Sequence, residues 1–133
     1  MTARTLLRAG LAFLAVTQFG AGYWALFAPR SFFAIPWVGM RMPYNAHLMM
    51  DYGAMSLAIS VALGGSALVV RRSLARSALA VHLVFAVLHL GIHIRLIHHL
   101  TPAERAPLLI ALSTAVAITL MLLFLTTRLP TDA

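Results

Sequence analysis

The chain has 133 residues, of which 62% are hydrophobic and only 10% are charged. Soluble globular domains carry about a quarter charged residues, so the composition excludes an ordinary soluble domain and indicates a membrane protein. The formal net charge is +7, but the basic residues lie between apolar runs, which argues against a nucleic-acid partner. The absence of cysteine excludes disulfides, thiolate metal sites and iron–sulfur clusters.

Four apolar stretches are long enough to cross a bilayer, which takes about 20 residues of helix. They cover residues 9–28, 46–70, 77–97 and 106–125. They predict one all-α domain over residues 1–133, an integral membrane four-helix bundle with antiparallel up-and-down topology. The first stretch is longer than the roughly 7 to 15 apolar residues of a secretory signal, so we expect it to remain as a membrane span.

The arginines divide unequally between the two sides of this bundle, and the richer side is expected to face the cytoplasm. This predicts a multi-pass protein of the plasma (inner) membrane with both termini in the cytoplasm. The segment 29–43, rich in aromatic residues, is then expected to lie along the outer interface. The richer side carries Arg4, Arg8, Arg71, Arg72, Arg76 and Arg128, and the other side carries Arg30, Arg41, Arg95 and Arg105.

Two local patterns predict how the helices are connected. Thr101, Pro102 and Glu104 form a capping box with proline in the first helical turn, which predicts the start of the last span and a structural role for Glu104. The link from Arg71 to Arg76 is short. We therefore expect the second and third spans to form an antiparallel hairpin of direct neighbours.

Polar residues mark one face of each hairpin helix. At about 100° per residue, His82, His89 and His93 fall within an arc of about 40°. His47 and Asp51, four residues apart, also share a face. Small residues continue that second face and are expected to let helices approach closely; they are Ala54, Ala58, Ala62 and Gly65.

Folding the hairpin near residues 73 and 74 brings Asp51 close to His93, with His47 on the outer side and His89 deeper. A carboxylate inside a span costs about 2.5 to 3.5 kcal/mol, which favours a metal or a polar partner. Asp51 and His93 are therefore the candidate catalytic residues, and His47 and His89 are candidate cofactor-binding residues. All four are candidate ligands for iron, copper or zinc, or for haem. His82 lies about 16 Å from His93 along the helix, too far to join them.

The same residues also fit a purely structural interpretation. Asp51 could pair with an interfacial arginine such as Arg41, while the histidines donate hydrogen bonds between helices. His82 alone could satisfy a neighbouring hydroxyl or carbonyl.

Three runs of the sequence resemble a known group of proteins. They are A-P-R-S-F-F at 28–33, P-Y-N-A-H-L-M-M-D-Y-G-A from Pro43, and L-V-F-A-V-L-H-L-G-I-H from Leu83. Together they resemble small four-span bacterial membrane proteins of the actinobacterial type, broadly DoxX-like. The most specific motifs are N-x-H-L-x-x-D, at Asn45, His47, Leu48 and Asp51, and F-A-x-x-H-x-x-x-H, at Phe85, Ala86, His89 and His93.

This resemblance implies a four-span fold and a site at the motif residues, and it associates the chain with quinol oxidation. The chain departs from the pattern at Ala46, where similar proteins often carry an acidic residue. That difference removes one potential ligand or proton acceptor.

Three functions follow from these observations. The leading hypothesis is redox chemistry on a lipophilic substrate such as a quinone, in which Asp51 and His93 ligate a metal or shuttle protons. The first alternative is a non-catalytic subunit that packs against a membrane-protein partner or a second copy of itself. The second is transport of protons or metal ions along His82, His89 and His93.

Overall fold

The computed structural model describes residues 2–131, and within them every regular element is helical. Four helices are long and apolar enough to cross a membrane, and they pack against one another as a bundle. This confirms the predicted all-α four-helix membrane fold, and the protein is a small polytopic membrane protein. The elements are α1 (Ala3–Phe27), α2 (Pro29–Phe33), α3 (Pro36–Gly39), α4 (Ala46–Val69), α5 (Arg72–Arg95), a 3-10 turn (Ile97–His99) and α6 (Pro102–Thr126).

Capping side chains mark where the helices begin. The Asn45 side-chain oxygen accepts a 3.1 Å hydrogen bond from the Leu48 backbone N–H at the start of α4. At the start of α6, the backbone N–H and the hydroxyl of Thr101 both donate to Glu104 Oε2, at 2.8 Å each. Pro102 opens that helix, where a missing N–H costs nothing. The predicted structural role of Glu104 is confirmed.

The long helices form a ring in which α1 packs chiefly against α4 and α5 against α6. Both ends of the described chain and the α4–α5 link lie at one end of the bundle, the terminal end. There Arg8 Nε donates a 3.1 Å hydrogen bond to the Ala67 carbonyl. The opposite end, the connector end, holds the connector (residues 28–45) and the 3-10 turn. The main core lies towards the terminal end and includes Leu7, Leu11, Leu63, Leu79 and Leu122.

The link between α4 and α5 is shorter than the sequence predicted. Residues 72–76 are helical, and only two residues join the helices. Val70 ends α4 in the left-handed conformation, with φ 48°. The hairpin therefore folds about three residues earlier than expected. Tyr52 lies level with His89, with ring centroids 5.8 Å apart, whereas the predicted fold placed Asp51 level with residue 96.

The tight backbone contact between α1 and α4 lies on a face of α4 that the sequence did not single out. A Cβ on Gly53 would lie 2.6 Å from the Leu26 nitrogen and 2.9 Å from the Gly22 carbonyl oxygen, both in α1. The expectation that the His47 face makes the close contact is wrong, because α4 carries small residues on more than one face. The predicted contact residues Ala54, Ala58, Ala62 and Gly65 are all exposed.

The connector is fixed across the end of the bundle. Phe32 and Met40 are buried, and Arg41 Nη1 donates a 2.7 Å hydrogen bond to the His99 carbonyl. Arg41 Nη2 also lies 3.0 Å from Glu104 Oε2. Arg41 thus pairs with Glu104, and not with Asp51 as the structural interpretation of the sequence supposed.

Candidate functional site

His47 and Asp51 form a pair on the exposed face of α4. His47 Nδ1 lies 3.2 Å from Asp51 Oδ2, and the two side chains are 84% and 65% exposed. One helical turn separates them, which allows this contact. The pair is therefore at the bundle surface and not in its interior.

His89 and His93 form a second pair, on α5. Their rings meet edge to face with centroids 4.6 Å apart, and His93 is only 8% exposed. Asp51 lines a groove between α4 and α5, whereas His93 lines a different cavity. The structure thus brings the four predicted residues together as two pairs rather than as one cluster centred on Asp51 and His93.

This division bears on the predicted metal centre. Across residues 2–131, no group of three or more histidine, aspartate or glutamate side chains is placed to hold a metal ion. Protein zinc sites use three or four such ligands. The described residues therefore give no support to the predicted four-ligand site for iron, copper or zinc, which stays a prediction.

The cavity beside His93 lies beneath the connector, and we call it the connector cavity. Its volume is about 410 Å³, and its walls come from the connector, α4, α5 and α6. Binding sites for small molecules have this size and combine apolar walls with a few polar groups. The lining includes Phe32, Trp37, Tyr52, His89, His93 and Leu108.

One polar atom of His93, a residue of the cavity wall, lacks a partner. His93 Nδ1 is buried and makes no hydrogen bond with any group in the described part of the chain. A buried polar group without a partner costs about 1 to 3 kcal/mol. A bound molecule that supplied the missing partner would remove that cost.

Stacked rings lie beside His93, some on the wall of the connector cavity and one, Phe85, on the wall of the neighbouring groove. Tyr52 stacks on Phe32 at 5.9 Å, and Phe85 stacks on His89 at 5.2 Å with the ring planes 15° apart. Sequence reasoning missed Tyr52 and Trp37 as site residues, and it named Phe85 only as part of the motif that resembles DoxX-like proteins. A signal existed for Phe85, which precedes His89 by four residues and so shares its face of α5.

The α4–α5 groove is a second open volume, of about 740 Å³. Its wall is mainly aliphatic, and Asp51, Tyr52 and His89 lie towards its connector end. Tyr52 and His89 line the connector cavity as well. The two volumes therefore share these two rings as a common wall.

His82 belongs to a separate polar network. Its Nδ1 lies 2.9 Å from Thr119 Oγ1, and its Nε2 lies 3.1 Å from Gln18 Nε2. The Thr119 hydroxyl already donates to the Ala115 carbonyl at 2.7 Å. Since a hydroxyl has one proton, His82 Nδ1 donates to Thr119, and its Nε2 accepts from Gln18.

This network joins α1, α5 and α6 and lies away from both open volumes, neither of which His82 lines. The Phe85 ring lies between His82 and His89, with centroids 6.5 Å and 5.2 Å away respectively. The predicted path of three histidines is therefore interrupted by an apolar ring.

The connector cavity has the chemical means to hold a flat, partly polar molecule. Its aromatic side chains can stack on a ring, and the phenol and two imidazoles can donate or accept protons. The chain was compared with protein-family models, curated proteins and solved structures, and none of them matches it.

Proposed function

We propose that the protein binds a quinone in the connector cavity and serves redox chemistry on it by holding its headgroup and exchanging its protons. The observation that carries this proposal is His93, nine-tenths buried on the cavity wall with an unpartnered Nδ1. A quinone carbonyl oxygen accepts hydrogen bonds and can supply the missing partner. Tyr52 provides a second polar group on the same wall.

The chemistry assigned to this chain is proton transfer. Reduction of a quinone to a quinol takes up two electrons and two protons, and oxidation releases them. His89 and His93, whose rings are in contact, are the groups proposed to take or give those protons. The electrons pass to or from a separate redox protein in the membrane.

We also propose that the chain is broadly DoxX-like and lies in the plasma membrane with both termini in the cytoplasm. The motifs around His47 and His89, and the excess of arginine on the side of the termini, support this. The connector cavity then opens in the outer half of the bilayer, within reach of the membrane quinone pool.

Quinone binding can be measured through tryptophan fluorescence, because the chain has only two tryptophans and only Trp37 is part of the cavity wall. In a Trp24→Phe background, we expect a short-tailed benzoquinone to quench Trp37 saturably. His93→Leu, which removes the hydrogen-bonding ring, should weaken binding about tenfold, the equivalent of one hydrogen bond. Tyr52→Phe should also weaken it.

Two controls make this test specific. His98→Leu alters an exposed histidine in the 3-10 turn and should leave the affinity unchanged. Trp37→Phe leaves only Trp24, which lies outside the cavity wall but 5.6 Å from the Phe32 ring, so its quenching should be weaker than that of Trp37. Equal affinity in the His93→Leu, Tyr52→Phe and parent proteins would refute the proposed site.

A further inference from the structure

We propose that the α4–α5 groove holds the hydrocarbon tail of the molecule whose headgroup enters the connector cavity, so that the ligand class is a long-tailed lipophile. This inference rests on the proposed function and names the substrate class for the same site. Three features of the groove carry it: the wall that it shares with the cavity, its polarity gradient and the small side chains of its wall.

The groove and the cavity are adjacent and share one pair of residues as a common wall. Tyr52 and His89 line both volumes, and their rings stack with centroids 5.8 Å apart. In the proposed complex, the ring rests against one side of this pair and the tail passes around it into the groove. The tail would then lie between α4 and α5 without leaving the protein surface.

The polarity of the groove fits a molecule with one polar end. Asp51, Tyr52 and His89 lie near the connector end, while the wall at Ala62 and Val81 is purely apolar. At a rise of 1.5 Å per residue, Asp51 and Ala62 are about 16 Å apart along α4. The groove therefore offers an extended apolar track that begins at the headgroup site.

Small side chains make this track. Ala58 and Ala62 form part of the groove wall and are exposed, so α4 and α5 leave room between them. Within a bilayer, a tail gains little from leaving lipid, and packing contacts supply the attraction. A tail tethered to a bound headgroup is held at high effective concentration, which favours it over a free lipid chain.

The test compares two quinones with the same headgroup, one with a methyl tail and one with a decyl tail. Binding is measured by Trp37 quenching of the Trp24→Phe protein in nanodiscs, at known mole fractions in the lipid. We expect the decyl compound to bind about five- to tenfold more tightly, from the summed packing contacts of its tail.

Filling the groove should remove this difference. Ala62→Phe places a ring on the track, and we expect it to reduce the affinity for the decyl compound to that for the methyl compound, whose own affinity should not change. Ala58→Phe should act in the same way and provides a second test if Ala62→Phe fails to fold. Val61→Phe adds the same ring at a position of α4 that is 74% exposed and outside the groove, so it should preserve the tail effect.

The outcomes separate this inference from the proposed function. If the methyl compound binds but tail length or Ala62→Phe has no effect, the cavity holds a headgroup while the tail remains in bulk lipid, and the inference is wrong. If Ala62→Phe weakens both compounds equally, the groove binds the headgroup itself, which also overturns it. If neither compound binds, the proposed function is wrong, and so is the inferred tail site.

Discussion

Replacing Gly53 with leucine is expected to force α1 and α4 apart and to destabilise the bundle by at least about 1 to 3 kcal/mol, the usual cost of overpacking. The Cβ alone would lie 2.6 Å from the Leu26 nitrogen and 2.9 Å from the Gly22 carbonyl oxygen. Both are backbone atoms, so no side chain can move to make room. Thermal unfolding of the detergent-solubilised protein, followed by circular dichroism, measures the effect.

Gly65→Leu is the matched control, since Gly65 lies in the same helix and a Cβ there would meet no atom within 4 Å. Its unfolding temperature should stay at or above that of the parent protein, because leucine also favours helix more than glycine does. Equal destabilisation by the two substitutions would show that loss of glycine, and not the α1–α4 contact, is responsible.

The second large effect is expected at His82. His82→Leu removes the hydrogen bonds to Gln18 and Thr119 and leaves the Gln18 amide buried without a partner, because its Oε1 already lacks one among the described residues. We expect a loss of about 1 to 2 kcal/mol in the free energy of unfolding. Quinone affinity should not change, since His82 lies outside the connector cavity.

A double-mutant cycle shows whether this loss comes from the Gln18–His82 contact. Gln18→Leu removes the other partner, and replacing both partners with apolar groups costs less than orphaning one. The double variant should therefore be more stable than the sum of the two single effects predicts. Strict additivity would mean that the two side chains do not interact.

Local chemistry explains why the fold could be predicted from the sequence. Twenty or so apolar residues in a row have few alternatives to a membrane-spanning helix. The Thr101–Glu104 capping box likewise acts within one helical turn, and the structure contains it. Such features do not depend on how the helices are arranged around one another.

Two properties that a sequence pattern does not determine decide which side chains meet at the candidate site. The first was the hairpin register, which changed because Val70 adopts a left-handed conformation and α5 begins at Arg72. A shift of a few residues moves side chains by several ångströms along a helix. This shift brings Tyr52 beside His89. Asp51 lies about three positions from the level of His93 in either register, and the two residues are apart because Asp51 lines the α4–α5 groove while His93 lines the connector cavity.

The second property was which face of α4 meets α1. Small residues occur on both candidate faces of α4. Either the Ala58 face or the Gly53 face could therefore have packed closely against α1. The fit of Gly53 against Gly22 selects one of them, and the other remains exposed and lines the groove. The sequence pattern of α4 cannot distinguish the two faces, because the choice depends on which residues α1 presents to it.

Photoaffinity labelling tests the central claim, quinone binding in the connector cavity, most directly. A benzoquinone with a photoreactive group on its ring would be irradiated with the nanodisc-embedded protein, and the labelled residues identified by mass spectrometry. We predict labelling of Trp37 and Leu108, which line the cavity, abolished by excess unlabelled quinone and reduced by His93→Leu. Labelling confined to lipid-facing positions such as Val16 and Leu68, and insensitive to competitor, would contradict the account.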